Sequence, residues 1–393
     1  MKPHIFLCLC VAAAATQAQT RDDTDQALEA ILKLGARYDT NLSEAADSQY
    51  QPESAIWVVS PEIVWNVDNR RVRGISSYSA NRYTYEYDDQ DDHTEHFLDT
   101  DWSVFLNRKN TLEVNAYHNQ QQNDRTSINR ADPAEKVGDQ FTDTAGTLGY
   151  KLGADSGPAQ IQASVGIQTM RFDNNLDTLS KNREREYDRR STIATVLFAV
   201  APKTRTLLEV RHYSFDYLPA DSDLDNDGTS IYGGVVWEAS AKTTGSIRIG
   251  RHTKSFDRHE NGNFEHEAAS WDMALRWKPR SYSSVEIMTS KIPEEGSSRS
   301  TLVDVTRNSA KWTHYWSSKV FTEARLRYDI EKYVGKDFDG RKDKTVYGTA
   351  GMTYIFNRRV SAEFRHTTKS RSSNSAIEEF DRNISEIYLN FKL

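Results

Sequence analysis

Apolar and polar residues alternate one for one along this chain, in segments of about 11–16 residues that recur from near Ala27 to Leu393. Ala159, Ile161, Ala163, Val165 and Ile167 fall on one face of such a segment, with Gln160, Gln162, Ser164, Gly166 and Gln168 on the other. Residues 111–118 repeat the pattern, with Leu112, Val114 and Ala116 set against Glu113, Asn115 and Tyr117. The final residues set Ile387, Leu389, Phe391 and Leu393 against Glu386, Tyr388, Asn390 and Lys392. A period of two places successive side chains on opposite faces of a β-strand, so each strand has one apolar and one wet face.

The connections alternate as well. Eight short ones, near 67–70, 107–110, 153–158, 201–203, 239–242, 278–281, 317–319 and 357–359, are rich in turn formers. Nine longer polar ones fall near 41–53, 87–92, 123–137, 173–186, 219–227, 257–265, 293–298, 335–341 and 370–379. Together they predict about eighteen antiparallel strands. A solenoid would repeat one kind of turn and a propeller one blade motif, and neither yields short and long connections in alternation. The pattern is that of a transmembrane antiparallel β-barrel in the outer membrane of a Gram-negative bacterium, with short turns and both termini in the periplasm.

Aromatic residues support this placement. The strand entering each short turn carries one near its end: Trp65, Phe105, Tyr150, Phe198, Trp237, Trp277, Trp316 and Phe356. All eight are expected in a ring at headgroup level. Seven of the turns also hold Lys or Arg, among them Arg108, Lys203, Lys278 and Arg358, suited to lipid phosphates. The longest apolar run after the N-terminal segment is Ile193–Pro202, too short for a helix to cross a bilayer, which needs about 20 residues. Mean hydropathy is −0.73, which does not separate a soluble protein from a barrel that shows lipid only alternate residues.

The N-terminus reads as a secretory signal over residues 1–18: basic Lys2, an apolar core from Ile5 to Ala15, and small residues before Gln19. The barrel is expected over 19–393. Cys8 and Cys10, the two cysteines, lie inside the signal core, so neither a lipid anchor nor disulfides are expected in the mature chain. Without Lys2, 49 of the 50 Lys and Arg residues remain against 57 Asp and Glu, a net charge of −8 that disfavours nucleic acid as a partner. Too few residues precede the first strand for a plug domain.

Inward-facing charge is the main candidate for function. A Glu, an apolar residue and then a polar one recur just after short turns: Glu113-Val114-Asn115, Glu209-Val210-Arg211, Glu286-Ile287-Met288, Glu323-Ala324-Arg325 and Glu363-Phe364-Arg365. Period two turns these Glu and Arg residues inward, joined by Lys151, Arg248, Arg276 and Arg327. They form either a pore wall of fixed charges that meets a polar solute, or neighbours that neutralise one another, or both. The inward cations suggest a lumen more basic than the net charge. No Ser–His or Asp–His spacing suggests a nucleophile, and the histidines at 93, 96, 118, 212, 259, 266 and 366 are scattered, so an enzyme is not expected. Asp223, Asp225 and Asp227 before Gly228 match the first half of a calcium loop, but position twelve is Gly234 and no closing acid follows. At most a weak extracellular calcium site is expected, and no other cofactor. Pro61 inside a predicted strand implies a bulge or weak pairing.

In three stretches the chain resembles the β-barrel porin family of exopolysaccharide and capsule gene clusters. These are Ala36-Arg37-Tyr38-Asp39-Thr40-Asn41, Val59-Ser60-Pro61-Glu62 and the closing Tyr388-Leu389-Asn390-Phe391-Lys392-Leu393. The resemblance implies a conduit for polysaccharide export working with a periplasmic polysaccharide export protein, after insertion by the barrel-assembly machinery. The inward Tyr117, Tyr213 and Tyr388 would then contact sugar rings. Two alternatives stand beside it: a general porin for small solutes, narrowed by an inward loop best placed at 123–137, and a surface enzyme or adhesin acting through its loops.

Overall fold

A computed structural model describes residues 26–46, 51–123, 137–176, 182–240, 242–259, 262–297 and 299–393. The predicted signal lies outside them. The first nine strands are β1 (Gln26–Asp39), β2 (Ser54–Asp68), β3 (Val72–Tyr85), β4 (His93–Asn107), β5 (Asn110–Gln122), β6 (Gln140–Leu152), β7 (Ala159–Phe172), β8 (Tyr187–Ala201) and β9 (Thr204–Tyr217). The second nine are β10 (Asn226–Ser240), β11 (Thr243–His259), β12 (Gly262–Arg280), β13 (Ser283–Ser297), β14 (Ser300–Tyr315), β15 (Val320–Val334), β16 (Lys342–Ile355), β17 (Val360–Ser373) and β18 (Phe380–Lys392).

Each strand pairs antiparallel with the next, and β1 pairs with both β2 and β18, so the eighteen strands close into one barrel. Closure removes the free edge that an open sheet of this size would expose. Eighteen strands spaced about 4.8 Å apart and tilted about 40° give a Cα-to-Cα diameter of roughly 35 Å.

The alternation holds strand by strand. On β7, Ile161, Val165 and Ile167 are 49%, 57% and 68% exposed on the outside, while Gln160 and Met170 are buried on the inside. Leu208, Ile231, Ile249, Leu326, Phe364 and Ile387 extend the same outward apolar surface around the barrel. A contiguous apolar surface of this extent is not left in water by soluble proteins; here hydrocarbon covers it.

Seven of the eight predicted girdle aromatics lie on the outward face at the short-turn end. Phe105 does not. It pairs with Thr111, whose side chain is buried inside, and a register shift between Phe105 and Asn107 leaves Leu106, 56% exposed, in the outward position.

Pro61 weakens its ladder without shifting it. The β2–β3 register runs from Val59↔Arg82 to Glu62↔Ser79 with the two intervening pairs missing, while Pro61 still opposes Leu32 on β1. The Ser60 hydroxyl donates to Asn81 Oδ1 at 2.5 Å across the gap.

Two of the predicted long connections are mostly strand. Pairing on β11–β12 continues to His259↔Gly262 and on β13–β14 to Ser297↔Ser300, through the stretches 257–265 and 293–298. Hydropathy falls there because both faces are polar beyond the apolar band, and the drop does not mark a strand end.

Candidate functional site

The lumen is built from the inward residues of all eighteen strands, and the fifteen predicted lumen residues all lie on that face. Their charges are largely paired. Glu209 on β9 is bound by Arg211 at 2.5 Å and by Arg248 on β11 at 3.2 Å, and accepts from the Thr195 hydroxyl at 3.0 Å. Arg276 meets Glu286 at 2.6 Å, Lys311 meets Glu323 at 2.8 Å, and Arg365 pairs with Glu363 on its own strand and lies 3.8 Å from Glu386. Arg327 donates from Nε to Asp329 at 2.9 Å. Of the predicted lumen charges, Arg325 and Glu113 have no ion-pair partner among the described residues. The lumen is therefore close to balanced, rather than basic as the cations alone suggested.

Lys151 turns away from Glu113 to Asp155, at 3.0 Å in the β6–β7 turn. Burial opposes the charge of Asp155, but the Lys151 ammonium and the Gln160 amide outweigh it and hold the carboxyl below its usual range.

The three predicted sugar-contacting tyrosines all have protein partners. Tyr117 Oη donates to Asp143 Oδ2 at 3.1 Å and Tyr388 Oη to Glu386 at 2.8 Å, while Arg189 covers the Tyr213 ring at 4.4 Å.

The predicted calcium residues do not converge. Asp223 pairs with Lys336 at 2.8 Å, Asp225 accepts from the Tyr217 amide at 2.7 Å, and Asp227 faces outward beside His212 at 3.7 Å. Among the described residues, no three His, Cys, Asp or Glu side chains form a metal-binding group. The histidines split as well: His96, His118, His212 and His366 face out, each ring nitrogen bonded to a hydroxyl on the neighbouring strand, at 2.7–3.1 Å. The side chain of His259 lies outside the described residues.

The dominant feature of the lumen is a hairpin that leaves the wall. Pairing between β12 and β13 stops at Trp271↔Lys291, although β12 continues toward Gly262 with β11, and β13 toward Ser297 with β14. The break coincides with Pro293, which has no amide to donate to β12. Above it, the tip of the β13–β14 hairpin folds into the barrel and packs on the inner face of β9–β11. Glu295 accepts from Tyr217 Oη on β9 at 2.9 Å and from Asn226 Nδ2 on β10 at 2.9 Å, and it pairs with Lys254 on β11. His266 on β12 reaches Asp304 on β14 at 3.1 Å, past the vacated place of β13.

The hairpin tip is held from above too. Ser300, Thr301 and Leu302 are fully buried, and the Phe338 amide donates to the Arg299 carbonyl at 2.9 Å. The Lys336–Asp223 bridge ties the β15–β16 loop to the β9–β10 loop across the mouth. Between the hairpin and the opposite wall of β5–β9 remains a cavity of about 240 Å³, bordered by Tyr117, Asp143, Arg189 and Tyr213 on the wall and by Glu294 and Val305 on the hairpin.

The predicted constricting loop, 123–137, lies almost wholly outside the described residues, and the described constriction comes from β13–β14. Sequence reasoning also missed Arg341–Asp343 and the Asp39–Glu44–Lys369–Arg382 cluster at the barrel seam. A signal for part of this was present: acid and base at i and i+2 share a strand face, as at Arg327–Asp329 and Arg341–Asp343.

A closed eighteen-stranded barrel with an apolar exterior and a polar, narrowed lumen defines an outer-membrane channel of the porin class. The chain belongs to the family described as "Putative beta-barrel porin 2", which matches residues 27–393. It is similar in structure to Acinetobacter baumannii OccAB4, with 9% identity, a TM-score of 0.48, and coverage of 94% of this chain and 98% of that one. Pseudomonas aeruginosa OpdQ shows 11% identity and a TM-score of 0.47, with 94% and 99% covered. A BenF-like porin from Pseudomonas fluorescens shows 11% identity and a TM-score of 0.47, with 93% and 99% covered. No curated protein matches the chain.

Proposed function

We propose that this barrel is a general porin: a passive outer-membrane channel for small polar solutes, with its short turns and both termini in the periplasm. The inward-folded β13–β14 hairpin carries this reading. A barrel of eighteen strands is wide enough to carry a hydrated polymer only if nothing enters it, and here Glu295 anchors a hairpin inside the lumen, against the inner face of β9 and β10. The charged wall beyond the constriction, paired as at Glu209–Arg211–Arg248, keeps the passage wet without a strong preference for either sign. The chain's family is one of porins, which supports reading the protein as a channel.

The polymer conduit implied by the family resemblance, with its periplasmic export partner, would require the hairpin to leave the lumen. Deleting the gene separates the two. Uptake of small polar solutes is expected to fall while surface polysaccharide stays at its normal level; loss of surface polymer with its synthesis intact would overturn the porin reading.

A further inference from the structure

Above the apolar band, several outward cations among the described residues have a carboxylate on the neighbouring strand or in the adjoining loop. Arg190 lies 3.6 Å from Asp216, Arg82 lies 3.0 Å from Asp92, and Arg171 and Arg251 pair with Asp188 and Glu267. The β15–β16 face differs. Lys332 and Lys342 stand directly opposite each other, and Lys344 lies one outward position below Lys342 and opposite Ile330. All three are exposed, and among the described residues none has a carboxylate within 4 Å. Asp304, which opposes Lys332 on β14, is engaged by His266. Like charges placed directly across a strand pair repel and destabilise the pairing, so an arrangement of this kind gains from an anion between them.

Their height fits a particular anion. Immediately below them the outward residues are Ile330 on β15 and Val346 on β16, and the apolar face continues down through Leu326 and Met352 to Tyr354 and Phe356. Lys332 is twelve residues above Val320, the short-turn end of β15, or about 30 Å along the barrel axis, just beyond a ~25 Å apolar band. Lipid phosphates sit at this level. Ser372 on β17, opposite Lys344, adds a hydroxyl beside them.

We infer that Lys332, Lys342 and Lys344 form a docking site for the phosphate of an outer-leaflet glycolipid, seated against the outer face of β15–β16. The assignment of leaflet rests on the proposed orientation, with the long loops outside; the site itself does not depend on what the lumen conducts. Lysines near a lipid surface each strengthen binding to anionic headgroups, and three together make the loss measurable.

The test uses the full chain in detergent micelles with diphosphorylated lipid A as probe, comparing wild type with K332Q/K342Q/K344Q and with a control, R190Q/R251Q, that removes paired cations. The triple variant is expected to lose affinity about tenfold or more, while the control stays near wild type. Excess inorganic phosphate is expected not to compete. All three lysines are exposed, and retention of heat-modifiable migration in gels confirms that the variants are folded. Equal affinity in the triple variant, equal binding of dephosphorylated lipid A, or displacement by inorganic phosphate would each overturn the site. Tighter binding of phosphatidylglycerol than of lipid A would overturn the leaflet assignment, and protease access to the long loops on whole cells checks the orientation independently.

Discussion

Cutting the β13–β14 hairpin back to its wall-paired half is expected to raise single-channel conductance several-fold. Replacing residues 293–303 with a two-residue turn removes Glu295, its bonds to Tyr217, Asn226 and Lys254, and the buried tip at Ser300–Leu302. The pairing below Lys291, which holds β13 to β12 in the barrel wall, is untouched. Lumen cross-section would then approach what eighteen strands allow, roughly 35 Å between Cα walls before side chains are counted. Recordings in planar bilayers check this, and conductance unchanged from wild type would show that the hairpin does not limit flow.

The second large effect concerns the seam where the barrel closes. Arg382 on β18 grips Asp39 on β1 with Nε at 2.9 Å and Nη2 at 2.6 Å, and reaches Glu44 with Nη1 at 2.9 Å. Lys369 on β17 pairs with the same Glu44. Asp39 is completely buried, as nearly are Arg382 and Glu44. Removing one partner of a buried ion pair leaves an uncompensated charge that costs about 3–5 kcal/mol. Arg382→Met strands two buried carboxylates beside a single lysine, at the upper end of the β1–β18 ladder near Asp39↔Ile384. A loss of about 3–5 kcal/mol in urea unfolding from lipid vesicles is expected, with earlier loss of heat-modifiable migration. The exposed outward pair Arg190–Asp216 serves as control, because breaking it should cost little. Equal losses from the two substitutions would contradict the importance given to the seam.

Much of this architecture was legible in the residues. The alternation over 159–168 predicted which residues of β7 face out and which face in, and the alternating short and long connections predicted about eighteen strands, the number observed. Period two also placed Glu209, Arg211, Arg248 and Arg276 inside. It did not reveal the cross-strand partners, Arg248 for Glu209 and Glu286 for Arg276, since register between strands follows from turn geometry and bulges that single segments do not encode. Phe105 shows the same limit at one residue, where a local register shift moved it off the expected face.

The constriction was hidden for a different reason. β13 keeps apolar residues outward only at Val285 and Ile287; above them Lys291 and Glu295 take outward positions in the register and Ile292 an inward one, and the loss of its β12 neighbour above Lys291 carries the strand inward. That loss is a property of two strands, for which this inverted pattern and Pro293 are the local signs. The acidic run from Asp223 to Asp227 matches half of a calcium loop in sequence, yet its carboxylates serve Lys336, the Tyr217 amide and the outer surface separately, because the loop turns between them.

The most direct measurement is polymer access to the open channel in a planar bilayer. Small glycols added to the bath are expected to enter the lumen and lower its conductance, whereas long hydrated polymer chains stay outside and leave it unchanged. Free entry of long chains into the wild-type channel would contradict the account, since the hairpin anchored at Glu295 would then not be in their way.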